Sequence, residues 1–297
     1  MEEIIALSAM HYDDSNESNY GDCFLINTGN TLFIYDCGSD EHADEVIKYM
    51  NTHNFATAKF ILSHNDEDHF KGLLHLLDEG KISKIYTTLL LKHVDDILDK
   101  IDDGRKTRES VKSDILEKYD NISKLSGYNL KDIYTSSNDL IFEIHPELSI
   151  IGPSYDYMIS TVAKRLDGRE SDIADGETAV NATSIQLEIL FNGNKILLSG
   201  DSSFAAIEDK VRDYNVVQLP HHGKPKQANL IFEKKWDQLD DVYIVSDNTG
   251  NSNGGSDDLD TAGHRVYNTQ NGPIKINPTF FKESSRAKAT TGRLCSI

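Results

Sequence analysis

The sequence predicts an α/β fold, with strand runs alternating with helical stretches along the chain. Three observations point to it. Short β-rich runs recur in both halves of the 297 residues, separated by stretches whose apolar residues fall at helical spacing. Several of these runs end in Gly, Asp or His, as strand tips that feed loops do. Residues 62–72, Leu-Ser-His64-Asn-Asp66-Glu-Asp68-His69-Phe-Lys-Gly, place four potential metal ligands within six residues, between one such strand and a helix.

In chain order, Ile4 to Met10 reads as a strand. Cys23–Asn27 and Thr31–Tyr35 flank a Gly29-Asn30 turn as a hairpin that closes at Asp36-Cys37-Gly38. Residues 41–53 carry Ala43, Val46, Ile47 and Met50 on one helical face. The apolar run 58–62 reads as a buried strand, and Phe70, Leu73, Leu74 and Leu77 mark an amphipathic helix from Asp68 onward. After a β-rich run at 84–91, the charge-mixed stretch from Lys92 to Asp120 suggests one or two solvated helices.

Strands return at 140–144 and 148–151. The polar segment 164–180 reads as a loop by composition, placed to cover a site as a lid. The Asn192-Gly193-Asn194 turn joins an alternating strand, 181–191, to a second one with Asp201 at its tip. Val216–Pro220 ends in His221-His222-Gly223, and late strands follow at 242–246, 265–269 and 273–276. The Gly-, Ser- and Asp-rich segment 247–260 reads as a flexible loop, with His264 beyond it as a further candidate site residue.

Charge narrows the partners. A net charge of −19 and a pI near 4.9 repel polyphosphates at long range, against non-specific duplex-DNA binding. Cys23, Cys37 and Cys295 form no C-x-x-C pair, so neither a disulfide framework nor a Cys-rich zinc site is expected. A reducing cytoplasm fits. The start lacks a basic n-region, and no stretch approaches the roughly 20 apolar residues of a membrane span, so no membrane partner is expected.

Two readings of the 64–69 loop compete. Capping of the following helix accounts for one acid, Asp66 or Asp68, accepting from the first helical N–H groups. It gives no reason for His64 and His69 on either side of two carboxylates, whereas metal binding does. Asp201 and the pair His221 and His222, at the tips of later strands, can converge with that loop at one sheet edge.

The order of these motifs, His64-Asn-Asp66-Glu-Asp68-His69, Asn181-x-x-Ser184, Gly200-Asp201 and Pro220-His221-His222-Gly223, resembles the metallo-β-lactamase superfamily. His64, Asp68 and His69 match its His-x-His-x-Asp-His signature, and Asp66 stands where the second His is usual. That variant is similar to the soluble hydrolase domain of the competence DNA-translocase (ComEC) family and to phosphorylcholine esterases. The resemblance implies an αββα sandwich of two mixed β-sheets with helices on both outer faces. It implies one domain over 1–297, with a helical insertion at 92–135 and a basic tail at 282–297.

It also implies two divalent metal ions, zinc or manganese. Asp201 would bridge them, with His64 and Asp66 on one and Asp68, His69 and either His221 or His222 on the other. The family His that falls near Asn181–Ser184 is missing, so partial occupancy of the first site is expected. Three carboxylates favour Mn²⁺ or Mg²⁺ more than a His-rich set does, while imidazoles keep zinc open.

Asp68, His221 and His222 are the expected catalytic residues: Asp68 to orient water, the spare His to protonate a leaving oxygen or clamp a phosphate. Asn181, Ser184 and Lys224 are expected to meet the substrate, Lys224 and Lys226 as a basic patch or as plain surface lysines. Asp36 is expected to brace the ligand loops by hydrogen bonding. The implied reaction is phosphodiester hydrolysis by a metal-activated water, on single-stranded nucleic acid. The rivals are a small phosphodiester, such as a cyclic nucleotide or head group, and a partner-dependent module whose metal site is largely structural.

Overall fold

The structure is a computed structural model that describes residues 1–8, 21–101, 104–141, 143–173, 176–246, 256, 258–277 and 280–281. The expected basic tail, Cys295 and most of the 247–260 loop lie outside these residues. Among the described residues no helix is long and apolar enough to cross a membrane.

Two seven-stranded sheets form the centre. The first holds β1 (Glu3–Ala6), β2 (Phe24–Asn27), β3 (Leu32–Tyr35), β4 (Ala58–Ile61), β5 (Ile82–Thr87) and β6 (Leu130–Asp132). The second holds β7 (Glu143–His145), β8 (Leu148–Gly152), β9 (Gln186–Phe191), β10 (Asn194–Leu198), β11 (Val216–Gln218), β12 (Val242–Val245) and β13 (Arg265–Asn268). A last strand, β14 (Ile274–Ile276), returns to the first sheet beside β1. The helices are α1 (Asp40–Thr52), α2 (Glu67–Asp78), α3 (Val94–Ile101), α4 (Arg108–Lys118), α5 (Tyr155–Leu166), α6 (Ala179–Ala182) and α7 (Pro225–Lys234).

Each sheet is mixed in the same way. In the first, β1, β2 and β3 pair antiparallel and β3 to β6 pair parallel. In the second, β7 to β10 pair antiparallel and β10 to β13 pair parallel. Parallel strands require both faces covered, and the strands read accordingly. Phe24, Ile26, Phe33 and Tyr35 join the core between the sheets, while Leu25, Leu32 and Ile34 face α1 and α2. Ile196 and Leu198 likewise face inward, and Leu197 meets Ala228, Ile231 and Phe232 of α7. The layers are therefore helix, sheet, sheet, helix.

Local chemistry fixes the elements. Ser39 caps α1, its hydroxyl accepting from the His42 N–H at 3.1 Å. Asn192 and Gly193, both at positive φ, form the two-residue turn between β9 and β10. The 92–135 stretch forms α3, α4 and the edge strand β6; Val94, Ile97, Ile101, Val111 and Ile115 are buried against α5 and the inter-sheet core. The β-rich run 84–91 ends as a strand at Thr87, because Leu90 turns into that core as a short 3₁₀ turn while Leu91 faces solvent. The polar segment from 164 begins as the last turn of α5, whose Leu166 is buried.

Gly21 admits no side chain. Its φ is +59°, and a Cβ there would lie 1.6 Å from the Asp68 carbonyl oxygen. Gly21→Ala is expected to destabilise the protein by roughly 2–5 kcal/mol through strain and clash together. An unchanged urea midpoint would show that residues 21 and 68 do not pack this way.

Candidate metal centre

The site lies where the carboxyl ends of parallel strands in the two sheets meet, the edge at which open α/β sheets bind ligands. Asp36 follows β3, His64 follows β4, Asp201 follows β10, and His221 and His222 follow β11. The helix start of α2 contributes Asp68 and His69.

Four imidazoles are held by one device. Each uses Nδ1 for an outer partner and turns Nε2 toward the common volume. His64 Nδ1 meets the hydroxyls of Ser63 at 2.9 Å and Ser184 at 3.2 Å. His69 Nδ1 meets Asp36 Oδ2 at 2.9 Å, and Asp36 Oδ1 accepts from the Ser63 N–H at 2.7 Å. His222 Nδ1 lies 3.0 Å from the Ser246 carbonyl and 3.4 Å from Asp22. His221 Nδ1 lies 2.8 Å from Glu177 Oε2.

Within the volume, His69 Nε2 lies 3.4 Å from Asp201 Oδ1 and 4.0 Å from Asp68 Oδ2. His222 Nε2 stands 3.0 Å from Asp68 Oδ2 and 3.9 Å from Asp201 Oδ2. His221 Nε2 stands 4.0 Å from Asp201 Oδ2. Asp66 occupies the N-cap position of α2 without making a side-chain cap bond; it sits partly exposed, 3.6 Å from His64 Nε2.

A divalent cation fits these residues. Three buried atoms, His64 Nε2, His69 Nε2 and Asp201 Oδ1, make no well-formed hydrogen bond, although His69 and Asp201 stand 3.4 Å apart as an ion pair. They lie within 4.8 Å of one another, as do donors of Asp68, His69 and His222, so one cation shared by either group would satisfy it. Charge points the same way. Burial opposes charge on Asp201, but His222, His69 and His221 outweigh it and hold the carboxyl well below its usual range. Asp68 is half-buried, and although desolvation opposes its charge, His69 and His222 draw it down to about 2. Burial works against protonation of His69 and His222, yet Asp201 with its neighbouring acids pushes both well above the usual imidazole range.

Of the expected substrate-binding residues, Asn181 and Ser184 are buried and face Asp201 and His64. Asn181 Nδ2 donates to Asp201 Oδ2 at 2.9 Å, and the Ser184 hydroxyl accepts from the Asp201 N–H at 3.2 Å. The Lys224 ammonium is held 2.8 Å from Glu177 Oε1. His264 stacks on Phe232 at a centroid distance of 3.9 Å, packed against α7. Sequence reasoning missed Glu177, which lies in the polar segment with no ligand-like spacing around it.

A family model described as the metallo-beta-lactamase superfamily matches residues 18–148. No curated protein matches the chain. Among solved structures, the metallo-beta-lactamase fold protein YhfI from Bacillus subtilis is 12% identical, with 93% of this chain and 100% of that chain covered and a TM-score of 0.53. Igni18, a metallo hydrolase from the archaeon Ignicoccus hospitalis, is 14% identical, with coverages of 93% and 99% and a TM-score of 0.48. The family match over residues 18–148 and the shared course of the backbone through both sheets give the conclusion that this chain has the metallo-β-lactamase fold.

Proposed function

We propose that the protein is a metal-dependent hydrolase acting on a phosphodiester, in the branch that the ComEC-type and phosphorylcholine-esterase motifs define. The observation that carries the reading is the convergence of three buried donors, from His64, His69 and Asp201, at one strand-end edge. Divalent ions bound there supply an activated water and take up charge on the reacting oxygens.

The chain's own residues divide the remaining work. His222, buried and turned to Asp68 and Asp201, is the ligand of the pair, and Asp68 both binds and orients. His221, the more exposed of the two, faces the substrate with Nε2, where it clamps an oxygen or hands a proton to the leaving group. Asn181, Ser184, Ser63 and Asp36 hold ligand orientation.

Each of the two donor groups pairs two imidazoles with one carboxylate, a mixed set that suits zinc and leaves Mn²⁺ open, and either ion meets the hard oxygens of a phosphoryl group. The net charge of −19 favours single-stranded over duplex nucleic acid, and a small phosphodiester over either. Salt separates these: turnover of a polymer falls steeply with ionic strength, that of a small ester does not.

Metal-stripped protein is expected to lack turnover of bis(4-nitrophenyl) phosphate and to regain it with Mn²⁺ or Zn²⁺, whereas Asp68→Ala stays inactive under the same loading. Absence of turnover with either metal, alongside bound metal by elemental analysis, would overturn the phosphodiester assignment.

A further inference from the structure

Glu177 is 3% exposed and lies outside the ligand set, yet it is the acceptor on which the mouth of the site converges. His221 Nδ1 reaches its Oε2 at 2.8 Å, while Lys224 Nζ at 2.8 Å and Gln227 Nε2 at 2.9 Å both reach its Oε1. Gln227 is itself fully buried and fixed, its Oε1 accepting from the Phe204 N–H at 2.8 Å. Glu177 is thus anchored from two sides before it meets the imidazole.

The turn it supports is strained. His221 and His222 take φ of 53° and 55° in succession, a left-handed conformation that costs a side-chain-bearing residue roughly 1–2 kcal/mol each. The turn separates the two rings by 6.0 Å and sets their planes 72° apart. His222 is thereby driven inward, and His221 is left at the mouth, its side chain 14% exposed. A ring at that position keeps one orientation only if something outside the centre holds it.

We propose that Glu177 is a positioning residue for His221, fixing the ring so that Nε2 is presented to the substrate side of the centre. The proposal rests on the hydrolase reading above. Glu177 does for His221 what Asp36 does for His69 and the two serines do for His64. A carboxylate is required because His221 Nδ1–H, the Lys224 ammonium and the Gln227 amide all approach as donors. An amide in its place accepts on one oxygen only and turns an N–H₂ against a donor.

The test uses the full chain loaded with Zn²⁺, comparing wild type with Glu177→Gln. Bound metal is measured by elemental analysis, kcat and KM with bis(4-nitrophenyl) phosphate, and the His221 ring by ¹⁵N-edited NMR, assigned by difference against His221→Asn. Expected in the variant are unchanged metal content, KM within about twofold, kcat lower by roughly 10- to 100-fold, and loss of the carboxylate-bonded Nδ1–H signal.

An unchanged ring signal, or a lost signal with unchanged kcat, overturns the proposal. Loss of metal in step with kcat also overturns it, by assigning Glu177 to metal retention. If the variant does not fold, the wild-type spectrum decides: absence of a bonded Nδ1–H at His221 rejects the idea. If wild type shows no turnover, the hydrolase reading fails while the ring signal still settles the positioning.

Discussion

Asp201→Asn is expected to lower turnover by at least about 100-fold and to lower bound metal per chain, with the fold intact. The size exceeds the roughly 10- to 100-fold that loss of an outer partner of a ligand costs. The geometry gives the reason. Asn181 Nδ2 donates to Asp201 at Oδ2, so an amide at 201 must keep its oxygen there and turn its N–H₂ to the Oδ1 side. That side faces His69 Nε2 at 3.4 Å. A donor would then stand where a cation should bind, in a residue of nearly the same shape. Elemental analysis and turnover are measured together, with circular dichroism as the check on folding. Retention of more than about a tenth of wild-type activity would show that Asp201 does not serve both ions.

Lys235→Met is expected to destabilise the protein by about 3–5 kcal/mol without involving the site. Lys235 follows α7 with its side chain fully buried. Its ammonium donates to the carbonyls of Val211 at 3.1 Å and Tyr214 at 2.8 Å and to Gln238 Oε1 at 2.9 Å, and it pairs with Asp241 at 2.8 Å. Methionine fills the stem but leaves a mostly buried carboxylate without its partner, and the Tyr214 carbonyl and Gln238 Oε1 without the ammonium that met them. Removing both charges, as Lys235→Met with Asp241→Leu, is expected to recover part of the loss in urea denaturation. A double variant no better than the single one would show that the ion pair is not the source of the effect.

How much of this was legible in the sequence depends on how locally each feature is encoded. The clustering of His64, Asp68 and His69 was legible because they fall within six residues at a strand end, and one loop brings them together. The β9–β10 turn was legible because Asn-Gly supplies the two positive φ values it needs. Asp36 was legible as a brace, and it holds both His69 and the Ser63 amide. The two mixed sheets with helices outside also stand as expected.

Glu177 was not legible, because its partners His221, Lys224 and Gln227 lie 44 to 50 positions further on and its own segment has no periodicity. Which of His221 and His222 lies inward could not be told from the sequence either, since only the left-handed turn sends one inward and leaves the other more exposed. Asn181 and Ser184 were found by position but read as facing substrate. The short helix α6 and the bend into β9 turn them inward, which no pattern of residue types reveals.

The pairing of β14 with β1 has a consequence for the time course of synthesis. Ile4 stands opposite Ile276, and Ala6 opposite Ile274. At roughly 5–20 residues per second, something like 15–50 s pass between the emergence of these two segments from a ribosome. Throughout that interval one side of β1 is an open row of amides and carbonyls, able to accept a strand from any neighbouring nascent chain. Slower, cooler expression is therefore expected to raise the soluble yield, because fewer neighbouring nascent chains then compete for this edge before its own partner arrives.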